Sequence, residues 1–472
     1  MRSLLVSTSL LLAGLLVAGC SKHKKTHSSG AAPPSAKSAG GAASAPAASS
    51  AAAVARAPKG RPDKPLNVLL ITVDAMRSDM PWNGYSRPIA PNLSKLVAES
   101  VYYDHAYSIS SYTAKSLGGL LSGRYPSTLY RSAYFFTGYS KANLFFSEVL
   151  QEHGVRTIGG QAHMYFNRGK GLDQGFDVWQ LVPGITFDPQ TDNDITSDKM
   201  TKMAIDILSK PENTGKQFFA WFHYLDPHDK YNWHDMCPKE WGHKARDRYD
   251  CEIFFADYYI GKLFDWAKQQ SWWKNTAVIL SADHGEAFGE HGEYRHAFEL
   301  WQELVHVPLA FKLPGVKPRR VHVRRSHIEL APTIVDLMGQ KPAPAFEGKT
   351  MVPELYGAEK PGDRDPIILD LPNDTNNERR RAIIDGDYKL IVFGNGWKHV
   401  LFNLKKDPGE KNDLSHSEPD KFERMEKLEK ATFDQLPVIL PYGGIKIKGG
   451  KTANGPMGPP KKQDAPEKGA AK

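Results

Sequence analysis

Three short segments of this 472-residue chain carry side chains suited to gripping a cation and an anion side by side. Asp74 follows the run Asn67-Val68-Leu69-Leu70-Ile71-Thr72-Val73, and Asp283-His284-Gly285-Glu286 follows a second run, Thr276-Ala277-Val278-Ile279-Leu280-Ser281-Ala282. Carboxylates and imidazole are metal-ligand types. One histidine among carboxylates points to zinc or manganese ahead of calcium or magnesium, which favour oxygen ligands. Between the two runs, Ser110-Ser111-Tyr112-Thr113-Ala114-Lys115-Ser116 leads into the apolar stretch 117–121. That order places Thr113 near a helix N-terminus, where backbone N–H groups and the helix dipole favour an anion. Each feature also has a plain structural reading: a strand-end Asp is often a cap or turn residue, and a Thr ahead of an apolar run is often an N-cap.

The elements that must position these residues follow from hydrophobic pattern. Both runs are continuous, apolar and rich in β-branched residues, as strands covered on both faces of a parallel sheet are. A third apolar run covers 217–224, and helix-like stretches cover 91–100 and 249–269. Strands alternating with helices imply an α/β sandwich with a mainly parallel sheet. Ligands in such sheets bind at the carboxyl ends of strands, where Asp74 and Asp283-His284 fall.

Composition sets outer limits. At 40% hydrophobic and 24% charged residues the chain matches soluble globular protein, which excludes collagen-like, coiled-coil and disordered architectures. Three cysteines exclude a disulfide scaffold. The net charge of +8 resides in the ends: Arg2 carries +1, residues 21–65 carry +7 and 446–472 carry +5, leaving 66–445 at −5. Nucleic acid is therefore not an expected partner. Met1-Arg2, the apolar run 10–19 and Cys20 have the layout of a secretory signal, too short for a membrane span. Leu16-Val17-Ala18-Gly19-Cys20 resembles the bacterial lipobox, which implies lipidation of Cys20 and a membrane-anchored protein facing the periplasm or cell exterior. The Ala/Ser/Pro/Lys-rich stretch that follows reads as a flexible tether. In an oxidising compartment Cys237 and Cys251 either pair or stay free; the sequence leaves both open.

The ordered landmarks carry a resemblance over about residues 66–430. Leu70-Ile71-Thr72-Val73-Asp74-Ala75-Met76-Arg77-Ser78-Asp79, Thr113 through Leu121-Ser122-Gly123-Arg124, and Ser281-Ala282-Asp283-His284-Gly285-Glu286 are similar to the sulfatase family of the alkaline phosphatase superfamily. So are the segments 223–229, 288–293, 307–315, 328–337 and 387–410. The resemblance implies an alkaline-phosphatase/sulfatase-like sandwich with a smaller C-terminal α+β subdomain. The expected layout is a signal peptide over 1–19, a tether over 20–65, a catalytic domain over 66–364, the subdomain over 365–440 and a basic tail over 441–472.

One departure alters the expected chemistry. Sulfatases convert a Cys or Ser in a Cys/Ser-x-Pro-x-Arg run to formylglycine; here Thr113-Ala114-Lys115-Ser116-Leu117 stands in its place, so no formylglycine is expected. The resemblance that remains is to a threonine branch, in which an unmodified Thr attacks phosphorus. It implies a divalent metal on Asp74, Thr113, Asp283 and His284, with Lys115, His228 and His296 holding the anionic oxygens or protonating the leaving group. Asp226, His228 and His296 around a second metal form an alternative, and Arg77 is either a substrate contact or an ion-pair partner of Asp79. The expected activity is metal-dependent hydrolysis or transfer of a phosphate (diester) or sulfate ester, including phospho-headgroup transfer. The substrate would be a lipid headgroup, a polysaccharide or a small molecule. A sulfuric ester hydrolase with unmodified threonine and an inactive binding lipoprotein are the rival expectations.

Overall fold

The computed structural model describes residues 60–186, 196–364 and 366–443. Its strands in chain order are β1 (Asn67–Val73), β2 (Val101–Tyr107), β3 (Arg156–Gln161), β4 (Val178–Leu181), β5 (Phe218–Tyr224), β6 (Thr276–Ala282), β7 (Ala287–Phe288), β8 (Tyr294–Arg295), β9 (His306–Lys312), β10 (Arg319–Ser326), β11 (Ile367–Leu371), β12 (Arg380–Asp385), β13 (Tyr388–Phe393) and β14 (Lys398–Asn403). β1 is buried along its whole length because its side chains alternate between two cores: Val68 and Leu70 enter one, Leu69, Ile71 and Val73 the other. β5 and β6 alternate in the same way, with Phe219, Trp221, Ala277 and Ile279 on the first face and Phe218, Ala220, Phe222, Val278 and Leu280 on the second. Period-two alternation with both faces covered is what makes such strands read as unbroken apolar runs.

These strands lie in an eight-stranded sheet of order β10-β2-β9-β6-β1-β5-β3-β4. The block β6-β1-β5-β3-β4 is parallel, β9 runs antiparallel to β6 and β2, and β10 is parallel to β2. The expected mainly parallel sandwich is thus the fold. The helices Thr113–Ser122, Phe146–Glu152 and Leu330–Leu337 cover the first face; Pro91–Ala98, Ser197–Leu208 and Ala245–Ala267 cover the second.

The helix Thr113–Ser122 is buried at every position. Close approach depends on its two central glycines: a Cβ at Gly118 would stand 2.3 Å from the Tyr139 ring, and one at Gly119 would stand 2.7 Å from Ile109. Gly123, at φ 59°, ends the helix in the left-handed region. The first helical residue is therefore held by packing along the entire element.

Strands β11 to β14 form an antiparallel sheet in that order, and the helix Pro419–Asp434 packs Met425 against Ile383, Leu390, Val392 and Leu401. This is the expected C-terminal subdomain. It is latched to the large sheet by buried charge: Lys389 pairs with Glu410 at 2.7 Å and donates to the Leu300 carbonyl at 2.6 Å, while Glu410 accepts from the Gln302 amide at 2.8 Å. Contacts with the catalytic domain run on to Tyr442, whose backbone N–H donates to Arg131 O at 2.9 Å. Cys237 and Cys251 are joined by a disulfide. Cys20, the signal and most of the tether (1–59), and the tail from 444 onward lie outside the described residues.

Candidate active site

β1 and β6 are adjacent and in register, so Asp74 and Asp283-His284 leave the same edge of the sheet together. Asp283 Oδ1 accepts from the backbone N–H of Ala75 at 3.2 Å and of His284 at 2.9 Å. Asp74 Oδ2 lies 3.2 Å from His223 Nε2. The remaining oxygens, Asp74 Oδ1 and Asp283 Oδ2, are buried with no hydrogen-bond partner. They stand 3.8 Å and 3.4 Å from His284 Nε2.

Two orphaned carboxylate oxygens facing an imidazole nitrogen is what a divalent cation would resolve. The electrostatics agree. Burial and the neighbouring Asp74 charge push the Asp283 carboxyl up, while burial pushes the His284 imidazole down. Burial would also raise Asp74, but the hydrogen bond to His223 and the surrounding histidines hold it well below the ordinary carboxylate range. The donor set of two oxygens and one imidazole nitrogen therefore fits the expected metal.

Thr113 is the first residue of its helix, with Tyr112 rather than Thr113 at the cap position. Its Oγ1 lies 3.0 Å from His284 Nε2. His284 Nδ1 donates to the Gly285 carbonyl at 2.9 Å, so in the neutral ring Nε2 carries the lone pair that faces the threonine hydroxyl. Ser116, one turn on, donates to the Asp283 carbonyl at 2.6 Å and pins the helix to the end of β6.

Asp74 and Thr113 open into a cavity of about 500 Å³ that His228 and His296 also line. Tyr112, Phe135, Phe136, Tyr165, Phe166 and Phe298 form much of its wall. His296 Nδ1 is 3.1 Å from Glu286 Oε1, and its ring is 4.3 Å from that of His284. Burial alone would lower His296, but the Glu286 carboxylate outweighs it and raises the imidazole to about 9, so the ring is a cation at neutral pH. Glu286 in turn accepts from the Tyr231 hydroxyl at 2.8 Å. The His228 ring lies 5.4 Å from that of His296.

Two expectations change, and the alternative left open for Arg77 closes. Lys115 does not line the cavity: it is fully buried and paired with Asp374. Two residues along a helix rotate a side chain by about 200°, so Thr113 and Lys115 face opposite ways. Lys115 instead fixes the 374–377 loop, whose Asn377 donates to the Ala297 carbonyl at 3.1 Å beside His296. The second-metal alternative fails because Asp226 is occupied as a cap, accepting from the backbone N–H groups of Thr196 at 3.1 Å and Ser197 at 2.6 Å. Arg77 is an ion-pair residue, with both Asp79 and Glu290 at 2.9 Å, and its Nη1 donates to the Glu286 carbonyl at 2.6 Å.

Sequence reasoning assigned no role to His223, Tyr231, Asp229, Arg295 or Asn376, nor to Glu286 beyond its place in the motif. Arg295 and Asp229 pair at 2.9 Å on the cavity wall. The visible signal for His223 was its place in β5, where a histidine interrupts a fully apolar strand.

Comparison with known proteins agrees with this architecture. The sulfatase family model matches residues 66–340, and the model for the C-terminal part of N-sulphoglucosamine sulphohydrolase matches 289–436. A sulfatase of Formosa agariphila is 23% identical over 431 residues, spanning 74% of this chain and 82% of its own length. A choline-sulfatase of Rhizobium meliloti is 25% identical over 177 residues; the match covers 37% of this chain and about a third, 34%, of that relative. Among solved structures, the phosphonate monoester hydrolase of Agrobacterium radiobacter superposes with a TM-score of 0.63 at 18% identity, covering 78% of this chain and 96% of that one. An enzyme solved with its substrate D-glucosamine-2-N,6-O-disulfate gives 0.63 at 17%, covering 79% and 98%. With the family model matching more than half of its length, the chain belongs to the sulfatase family.

Proposed function

We propose that this sulfatase-family chain is an exported, lipid-anchored hydrolase that uses Thr113 and a divalent metal to cleave monoanionic esters, phosphodiesters ahead of sulfate monoesters. The observation that carries the reading is the 3.0 Å contact between Thr113 Oγ1 and His284 Nε2 beside two orphaned carboxylate oxygens. Asp74, Asp283 and His284 would hold the metal, with Thr113 beside them. A bound divalent ion supplies charge neutralisation for the substrate oxygens and a lowered pKa for the threonine hydroxyl.

The chain's own groups account for the rest. Thr113 sits on a helix rigidified by packing, with its Oγ at the cavity floor and the positive end of the helix dipole behind the incoming anion. With its hydroxyl proton released to solvent, Thr113 Oγ forms a bond to phosphorus as the bond to the alcohol breaks, and the departing alcohol takes a proton from the His296 imidazolium, which Glu286 keeps charged. Water then attacks phosphorus, returns a proton to His296 and displaces the Thr113 oxygen; an acceptor alcohol in its place would make the reaction a headgroup transfer.

Charge balance supports a monoanionic substrate. Arg295 is neutralised by Asp229 and His296 by Glu286, and among the described residues no lysine lines the cavity. Asp74 and Asp283 would offset a divalent ion. With those charges balanced, the helix end is what remains to favour an anion, and its partial charge suits one negative charge better than the two of a phosphate monoester.

Sulfuric ester hydrolysis is the second reading, favoured by the relatives that are themselves named sulfatases. Against it stands Thr113, which cannot form the aldehyde hydrate whose collapse expels sulfate. The clustering of Asp74, Asp283 and His284 beside Thr113, with Asp74 and Thr113 opening into the cavity, speaks against an inert binding protein. A panel of sulfate monoesters, phosphate monoesters and phosphodiesters with defined zinc or manganese tests the reading. Diester turnover above that of both monoester classes is expected, and preference for phosphate monoesters would overturn the charge argument.

A further inference from the structure

Behind Asp74, β1 and β5 carry a chain of polar groups on the sheet face that the Thr113 helix also covers: Trp221, Thr72 and His223. All three are completely buried. Thr72 and His223 are register partners on β1 and β5, so the parallel pairing itself brings them together. Trp221 Nε1 donates to Thr72 Oγ1 at 2.8 Å, Thr72 Oγ1 is 2.8 Å from His223 Nδ1, and His223 Nε2 is 3.2 Å from Asp74 Oδ2.

We infer that Thr72 and His223 are positioning residues that fix which oxygen of Asp74 is presented to the metal. The inference rests on the reading of Asp74 as a ligand. An indole N–H only donates, so Trp221 takes up a lone pair of the Thr72 hydroxyl. The Asp74 carboxylate only accepts, so His223 Nε2–H is the donor to Oδ2, and the Thr72 hydroxyl anchors the ring from its Nδ1 side. That hydrogen bond holds Oδ2 back and leaves Oδ1, the orphaned oxygen, as the one that faces His284. The backbone cannot substitute for this lock, because Asp74 N–H is itself committed to the Tyr224 carbonyl at 2.8 Å. Without the Thr72 hydroxyl the ring loses the contact that holds its Nε2 toward the carboxylate.

Partners of ligating groups typically contribute about 10-fold to 100-fold in metal affinity. The test is competition between the metal-free full chain and a chelator for zinc and for manganese, at one pH, with Thr72→Val, Thr72→Ser, His223→Gln and His223→Ala. Thr72→Val and His223→Ala should bind roughly 10-fold to 100-fold more weakly. Thr72→Ser keeps the hydroxyl and should match the parent. His223→Gln, whose amide N–H reaches toward the place of Nε2–H, should recover part of the loss. Melting of metal-free Thr72→Val should stay within a few degrees of the parent, which separates metal positioning from packing. Parental affinity in Thr72→Val and His223→Ala, or equal losses in Thr72→Ser and Thr72→Val, would overturn the inference. A parent chain that binds neither metal would instead overturn the proposed function on which it rests.

Discussion

Thr113 Oγ1 and His284 Nε2 lie 3.0 Å apart although 171 residues separate them in the chain. The contact exists because β6 delivers His284 at the sheet edge and because Ser116 ties the first turn of the Thr113 helix to the Asp283 carbonyl. The proposed nucleophile and the proposed metal ligands are thereby held by a strand end and a fully buried helix rather than by free loops.

Metal content follows from the orphaned oxygens. Purified protein should carry roughly one equivalent of zinc or manganese per chain, and Asp283→Ala or His284→Ala should lose it by elemental analysis. Stoichiometric calcium without a transition metal would contradict the role given to His284.

The parts of this site legible in the sequence were those written in local pattern. Asp74 and Asp283-His284 could be placed because unbroken apolar runs mark the two central strands, and Thr113 because small hydroxyl residues precede an apolar helix. The role that the resemblance implies for Lys115 does not hold, because helical rotation turns it toward Asp374. His223 and Glu286 were not assigned roles because these depend on long-range pairing: Thr72 meets His223 across 151 residues. The C-terminal latch was visible as family landmarks, but its purpose, a buried Lys389 and Glu410 pair, needed the packing of two sheets.

The proton donation proposed for His296 would depend on Glu286. Glu286→Gln removes the charge that keeps the ring cationic, so kcat should fall by about 100-fold or more for esters with poor alcohol leaving groups. Activated leaving groups, which need no proton, should be affected much less. Equal losses on both kinds of substrate would argue against general acid catalysis at this position.

Stability should fall in acid for a reason separate from the site. Burial pushes the His327 imidazole down to about 3, while its Nε2 is held 2.8 Å from Ser281 Oγ, whose hydroxyl donates to the Pro308 carbonyl at 2.7 Å. Because the folded pKa lies below the unfolded value of about 6.5, the unfolded chain binds the extra proton. The stabilisation is thus complete above about pH 6.5 and declines toward pH 3, by at most about 1.4 kcal/mol per pH unit. His327→Gln, able to donate to Ser281, should flatten the fall of melting temperature between about pH 6.5 and 4; an unchanged slope would remove His327 from the explanation.

Membrane attachment is expected to depend on Cys20. Cys20→Ala should move the protein from the membrane fraction to the soluble fraction, and retention after a salt wash would show that the anchor lies elsewhere.

The central claim is that Thr113 is the nucleophile toward phosphorus. Its most direct test is the turnover of a phosphodiester by Thr113→Ala, compared with the parent at matched metal content and matched melting temperature. A loss of at least about a thousandfold with metal retained is expected. Diester turnover near the parental rate in Thr113→Ala would contradict it.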